Sequence, residues 1–471
     1  MKTALIILLG IAGCADVLDI PDRQLASEHR CSGNIKIKAL FDASGPTSDV
    51  GLSWYKATMD SIRDLNLSAD HGIKGCQIEV ETLDYGYNIN AAQTAYAGWK
   101  ANTASWNDTI AILGWGTNDS VPLSPNAKED KIPYISASYF AALGTPEAIQ
   151  GHATIPVISD FTEVPFEAQI SAAGAPYNFF AGTDYSTGAR IAMFYIALQK
   201  GNRVGFFHCM ADYCTGPLNA ARQGAKDNSV ARGRELILEL TDTQETYNTK
   251  VAEYFRQELA HQAANPGYTM VDWVWSGNTT KTTAYMAKAL ANMKTLAATD
   301  NTLPKDLNVQ LISNNWGFDE MLFGLCGPAL NNPCVDKVHG IMPFAAYGDT
   351  RAPDMSKVTA LHDKWRGIDG DTATYKNVRY VAGYVNVLVF KKAVEKVFES
   401  GKILTRENLK LALETFSQES TGGLTANLTY TDKDHRPQGT ESIYKMDATG
   451  KLVLEGGQPF SIEMKPEWKG W

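Results

Sequence analysis

"IKIKALFDASGPTSDVG", residues 35–51, decides the fold. Its first seven residues alternate apolar and polar with a period of two, as a half-buried strand does. The next ten are small, polar or turn-forming, and they lead into a stretch where Trp54, Ala57, Met59 and Ile62 recur at helical spacing. Strand, loop and helix then repeat. "CQIEVETLD" (76–84) alternates again, "NAAQTAYAGWKA" (90–101) is rich in helix formers, and "TIAILGW" (109–115) is a continuous apolar run suited to a strand covered on both faces. "IPYIS" (132–136) adds a further strand. Alternation of this kind predicts right-handed crossovers around a parallel sheet.

The rhythm breaks at 144–176, which carries turn formers without periodicity, and then restarts. Strands are expected at 177–183, 203–208, 236–240, 271–277 and 309–313, with helices at 185–199, from about 215, at 246–264 and at 280–296. Two sets of alternating units predict an α/β protein of two doubly wound lobes. Beyond "HGIMPFAAYGD" (339–349), Val378, Val381, Val385, Leu388, Val389 and Val397 mark a long helix over 378–400, and a shorter one is expected at 405–416. The chain ends in hairpin-like segments, "GLTANLTYT" and then "ESIYKMDATGKLVL".

A chain of 471 residues exceeds one ordinary core, which agrees with two lobes. Its 43 basic residues against 52 acidic ones give a net charge of −9, which argues against nucleic acid or anionic lipid as a partner. The opening "MKTALIILLGIAGCADV" is a lysine, an apolar run and Ile11-Ala12-Gly13-Cys14. The run falls short of the ~20 residues that span a bilayer and suits the core of a signal peptide. Ile11 to Cys14 resembles a bacterial lipobox, which makes 1–13 a lipoprotein signal peptide, Cys14 the lipidated residue and 14–33 a tether. Membrane contact is then expected only through the lipid. Six cysteines remain, an even number that reads as disulfides in an exported chain. Sequence proximity pairs Cys209 with Cys214 and Cys326 with Cys334, leaving Cys31 with Cys76. His208-Cys209 with Cys214 lacks a second pair at zinc spacing, so no metal site is expected.

The order of these segments resembles the branched-chain amino acid type of periplasmic binding protein, the type I ligand receptors of ABC importers. "IKIKALFDASGPTSDVG" is similar to that family's opening strand and loop, and "GIKGCQIEVETLDYGYNINAAQTAYAGW" to its second strand and helix. "AILGWGTNDSVPLSPNAKEDKIPYISAS" resembles the third strand, ligand loop and fourth strand, and "RVGFFHCMADYCTGPLNAARQGAK" the start of the second lobe. "NNWGFDE", "VRYVAGYVNVLV" and "GGLTANLTYTDKDHRP" resemble a divergent subgroup. The resemblance implies parallel sheets in two lobes, a three-strand hinge near 181–184, 340–343 and 437–442, and ligand in the cleft. Lobe 1 is expected over 34–181 and 343–437, lobe 2 over 184–340 and 440–471. It also implies a monomer in the periplasm or cell envelope, a small-molecule ligand, and an ABC permease with ATPase subunits as partner. No cofactor is expected, since the partner supplies the energy.

The same resemblance places Trp115, Thr117, Asn118, Ser138, Tyr139, Tyr213, Trp275, Asn315 and Trp316 at the cleft. Asp119 reads as the cap of the following helix, with Thr117 and Asn118 toward the ligand. An amide, Asn315, stands where amino-acid binders carry an acid for the ligand ammonium. With Asp119 adding negative charge at the carboxylate site, a simple α-amino acid is not expected. Trp115, Tyr139, Trp275 and Trp316 instead suit a flat, aromatic or apolar ligand, or a cage for a cation. A branched-chain amino acid, as in the parent family, and a ligand-sensing receptor are the alternatives. Motifs of hydrolases, zinc proteases and phosphate loops are missing, and "DKDHRP" (432–437) reads as a solvated turn, so no catalytic residue is named.

Overall fold

The computed structural model describes residues 33–328 and 330–471. The expected signal peptide, Cys14, nearly all of the tether and Cys31 lie outside the described residues. Strand β1 (Ile35–Phe41) leads to α1 (Ser48–Asn66), β2 (Ile78–Asp84), α2 (Ile89–Ala101), α3 (Thr103–Asp108), β3 (Thr109–Gly114), α4 (Thr117–Glu129) and β4 (Tyr134–Ser136). A hairpin of β5 (Ile149–Ser159) and β6 (Thr162–Ala172) precedes β7 (Asn178–Phe180). The second set runs through α5 (Tyr185–Leu198), β8 (Arg203–His208), α6 (Asp212–Thr215), α7 (Leu218–Asp227), β9 (Ala231–Ile237) and α8 (Gln244–Ala264). It continues with β10 (Trp273–Gly277), α9 (Thr280–Leu296), β11 (Gln310–Ser313), α10 (Leu322–Cys326) and β12 (Val338–Met342). Helices α11 (Met355–Asp369), α12 (Val378–Glu399) and α13 (Arg406–Leu413) come before β13 (Thr440–Met446), β14 (Leu452–Leu454) and β15 (Phe460–Ser461).

The first sheet is wholly parallel, in the order β2-β1-β3-β4-β7. The second repeats that order as β9-β8-β10-β11-β12 and extends it with the antiparallel strands β13 and β14. Both lobes therefore have the arrangement 2-1-3-4-5, so each has a topological switch point between its first and third strands. Helix α12 packs along α1 and joins the first lobe. The chain passes between the lobes after β7, after β12 and before β13. These passages lie side by side: Thr183 Oγ1 donates to the Thr440 carbonyl at 2.6 Å, and Thr425 Oγ1 to that of Pro343 at 2.6 Å.

Three expected elements differ. The aperiodic 144–176 segment is a regular hairpin, with Pro156 opposite Pro165 and a turn in which Asp160 and Phe161 both have positive φ. A two-stranded ribbon leaves one backbone edge of each strand free, so it tolerates those prolines. The Asp-Phe turn lacks the glycine that announces such a hairpin. Its tip packs on the second lobe: Phe161 stacks on His261 at 4.0 Å, under the Arg234 guanidinium at 4.2 Å. The strand expected at 236–240 occupies Ala231–Ile237, because pairing with β8 starts at Ala231 and an edge strand needs only one apolar face. "GLTANLTYT" forms isolated bridges rather than a hairpin, since Thr425 and Tyr430 are bonded to the hinge carbonyls of Pro343 and Phe180.

The cysteine pairs Cys209–Cys214 and Cys326–Cys334 are both bonded, with Cα atoms 5.4 and 6.1 Å apart. The Cys31–Cys76 pairing lies outside the described residues at its Cys31 end. Among the described residues no helix is long and apolar enough to cross a membrane.

Candidate functional site: a cleft at two switch points

A narrow cavity of ≈ 10 Å³, room for about one water molecule, lies between the closed lobes. In the first lobe it is bounded by Thr47 and Val50 after β1, by Tyr87 after β2, and by Trp115, Gly116 and Thr117 after β3. Tyr185, Tyr213, Thr279 and Trp316 close it from the second lobe. Tyr213 follows β8 and Thr279 follows β10, so the void sits over both switch points at once, where parallel α/β sheets hold their ligands.

The loop after β3 is shaped by close approach. A Cβ on Gly114 would stand 2.1 Å from the Tyr134 ring, and one on Gly116 would stand 2.5 Å from the Tyr87 ring. With those glycines the chain turns tightly, and Asp119 reaches back to accept from Gly116 N at 2.6 Å and Trp115 N at 3.2 Å. Tyr85 donates to it at 2.6 Å and Tyr134 also bonds it. Burial holds the carboxyl up at about 6 in spite of these donors. Asp119 is therefore the expected cap. The charge expected at the carboxylate site is corrected, because both oxygens are engaged beneath the loop rather than turned into the cleft.

Thr117 Oγ1 and Ser138 Oγ lie 2.9 Å apart and are fully buried. Trp115 donates through Nε1 to Thr47 Oγ1 at 3.0 Å, and its ring meets Trp316 edge-on with centroids 4.9 Å apart. Tyr139 stacks on Trp316 at 5.7 Å and 15°. Trp316 donates through Nε1 to Tyr185 Oη at 2.9 Å. Tyr213 lines the void with its hydroxyl unpartnered, and Asn315, beside Trp316, has an unpartnered Oδ1. Two expected residues fall elsewhere. Asn118 donates its amide to the Tyr87 carbonyl at 3.0 Å. Trp275 belongs to the second lobe's inner core, against Phe206, because a residue inside a strand points to a sheet face and not past its end. Tyr185 was legible only as the start of a helix, and Thr47 only as a turn residue. Their site roles come from the chain crossing and from the switch point.

Ionic contacts also join the lobes. Arg379, at the start of α12, donates to Asp319 Oδ2 at 3.3 Å and to the Phe318 carbonyl at 2.7 Å, with its guanidinium 4.7 Å from the Trp316 ring centroid. Glu320 accepts from Val378 N at 2.8 Å and Tyr347 N at 2.6 Å. Asp49, in the first turn of α1, accepts from Lys281 N at 2.9 Å. Desolvation lifts Glu320 to about 7 and Asp49 to about 6, and Glu441 at the hinge well above the usual range. A raised acid binds more protons in the native state than in the unfolded one, so stability falls as pH rises toward the native pKa. His339, lowered to about 4 by burial, opposes this only below its unfolded pKa of about 6.5. The thermal midpoint is thus expected to drop between pH 6.5 and 8, by less in Glu320→Gln. An equal drop in that variant would remove Glu320 as the cause.

Among the described residues no group of three or more His, Cys, Asp or Glu side chains is placed to hold a metal. In "DKDHRP", Asp434 pairs with Arg436, and buried His435 with Glu414.

Two lobes of one strand order, three hinge passages and a void at facing switch points define a hinged, cleft-binding protein. The family described as periplasmic binding protein matches residues 34–451, and the chain belongs to it. No curated protein sequence matches the chain. Among solved structures, it is 27% identical to an ABC transporter substrate-binding protein of Aeropyrum pernix, with a TM-score of 0.69, covering 91% of this chain and 96% of that one. A fatty acid ABC transporter substrate-binding protein from Thermomonospora curvata (19% identity, TM-score 0.66, 92% and 93% covered) shares the fold. So does a branched-chain amino acid ABC transporter protein from Thermus thermophilus with bound valine (18%, 0.71, 91% and 97%).

Proposed function

We propose that this protein is an exported substrate-binding protein of an ABC importer, which captures a small organic molecule by closing its two lobes and presents it to a permease. The observation that carries this is the contact of Trp316 from one lobe with Trp115 and Tyr139 from the other, beside a void at both switch points. Contacts made from both sides favour the closed form over the open one, which is what makes closure depend on occupancy. Lobe 1 comprises 34–181 and 343–437, and lobe 2 comprises 184–340 and 440–471. The tip of the 144–176 hairpin is the exception, since it rests on lobe 2. The ligand carries a planar or apolar part, held against Trp115, Tyr139 and Trp316, and a polar end on Thr117 and Ser138.

Mass spectrometry of small molecules released from the purified, denatured protein tests this. One molecule at near-stoichiometric yield, released unchanged after long incubation, is expected. A chemically converted molecule would replace the transport reading with catalysis, and a branched-chain amino acid would overturn the aromatic slot. The protein acts from the periplasm or cell envelope, lipidated at Cys14. Cys14→Ala is expected to move it from the membrane to the soluble fraction, and continued membrane retention would defeat the anchor.

A further inference from the structure

We infer that the cleft selects an uncharged molecule bearing N–H or O–H donors and rejects carboxylates and other anions. This rests on the ligand-binding reading above and narrows it. None of the ten residues bounding the void is acidic, basic or histidine. Charged groups do surround it, but each is committed within the protein.

A helix N-terminus is the usual seat for an anionic ligand in such a cleft, because its free N–H groups and dipole favour negative charge. Here the protein's own carboxylates already hold those places. Asp119 takes the amides of Gly116 and Trp115 at the start of α4. Asp49 crosses from the first lobe to take Lys281 N at the start of α9. Glu320 crosses from the second lobe to take Val378 N at the start of α12. The one guanidinium at the aromatic contact, Arg379, is spent on Asp319 and the Phe318 carbonyl. An incoming anion meets a protein carboxylate at each of these helix starts and no free cation, so it loses its hydration with little compensation.

At or beside the void, Tyr213 Oη, Asn315 Oδ1 and both side-chain amide atoms of Asn278, next to Thr279, have no partner. The two amide oxygens only accept hydrogen bonds, the Tyr213 hydroxyl can accept one, and Asn278 Nδ2 donates. A buried acceptor left unpaired is costly, so the matching ligand offers donors. Asp49 adjoins Val50 and bonds the Thr279 side chain, and both of those residues bound the void. A cation is disfavoured, since no acidic side chain lines the space and the Arg379 guanidinium already lies against the Trp316 ring.

Benzamide, benzoate and benzamidine share one skeleton and are neutral, anionic and cationic at pH 7. Titrated into the extensively dialysed protein and followed by tryptophan fluorescence, benzamide is expected to bind at least tenfold more tightly than either ion. The molecule released from the purified protein is expected to be neutral at pH 7. In Asp49→Asn, which removes the negative charge that repels an outside anion at the start of α9, the preference for benzamide over benzoate should narrow at least threefold. Benzoate or benzamidine binding as tightly as benzamide, an ionic released molecule, or an unchanged preference in Asp49→Asn would overturn the inference while leaving ligand binding intact. If no molecule is released and no probe binds, the ligand-binding reading fails and the inference fails with it.

Discussion

Trp316→Ala is expected to weaken binding of the released native ligand by about 100-fold. The side chain is 5% exposed and is held from four sides. Tyr139 stacks on one face, Trp115 meets it edge-on, Tyr185 accepts its Nε1 proton, and Arg379 lies over the ring. Truncating a buried tryptophan at the centre of an interface typically costs about 2–4 kcal/mol, or roughly 30- to 1000-fold. The loss should fall on closure as well as on ligand contact, because the ring belongs to one lobe and three of its four neighbours, Tyr139, Trp115 and Arg379, to the other. Isothermal titration with the native ligand measures it. Trp275→Phe is the control: its ring lies in the second lobe's core, so affinity should stay within about threefold. A loss below threefold in Trp316→Ala, or equal losses in the two variants, would defeat the aromatic slot.

Asp60→Ala should produce the largest loss of stability, about 3–5 kcal/mol. Asp60 on α1 and Arg366 on α11 are 1% and 2% exposed. The guanidinium bonds both carboxylate oxygens, through Nε at 2.8 Å and through Nη2, and Tyr380 on α12 adds a hydrogen bond at 2.7 Å. One carboxylate thus pins three helices of the first lobe. Removing it leaves a buried guanidinium and a buried phenol without their partner. Asp369 and Asp371 keep part of the charge compensated, which places the loss toward the lower end of that range. Tyr380→Phe removes one hydrogen bond and should cost about 1–2 kcal/mol. Urea unfolding of both variants measures the difference, and a loss below about 1 kcal/mol in Asp60→Ala would show that the network does not stabilise the fold.

Much of the fold was legible because the hydrophobic period survives in single segments. The run 109–115 reads as a strand from its apolar content alone, and β3 spans Thr109–Gly114. Helix α9 occupies Thr280–Leu296 as its pattern predicts. What escaped had no local signal: the hairpin at 149–172 turns on Asp160-Phe161, and β9 takes its register from β8. The site divides in the same way. Trp115, Thr117, Ser138, Tyr139, Tyr213 and Trp316 converge from four separate segments because they follow strand ends or helix starts. Tyr185 and Thr47 went unnoticed because nothing near them in sequence points to the cleft.

By itself the sequence determined the alternation of strands and helices, the two lobes and the family, since each depends on periodicity and order along the chain. Only the tertiary structure decided what each polar or aromatic side chain faces. Trp275 and Trp316 are the same residue type, one in the middle of β10 and one three residues past β11, its neighbour in the sheet. One still lies within its strand and turns into the core, while the other lies past the end of its strand and turns into the cleft. Asp119 reads in sequence as a charge beside the ligand, yet Gly116 N, Tyr85 and Tyr134 draw it beneath the loop. Direction follows from packing and hydrogen bonding between segments far apart in the chain, and no local pattern encodes it.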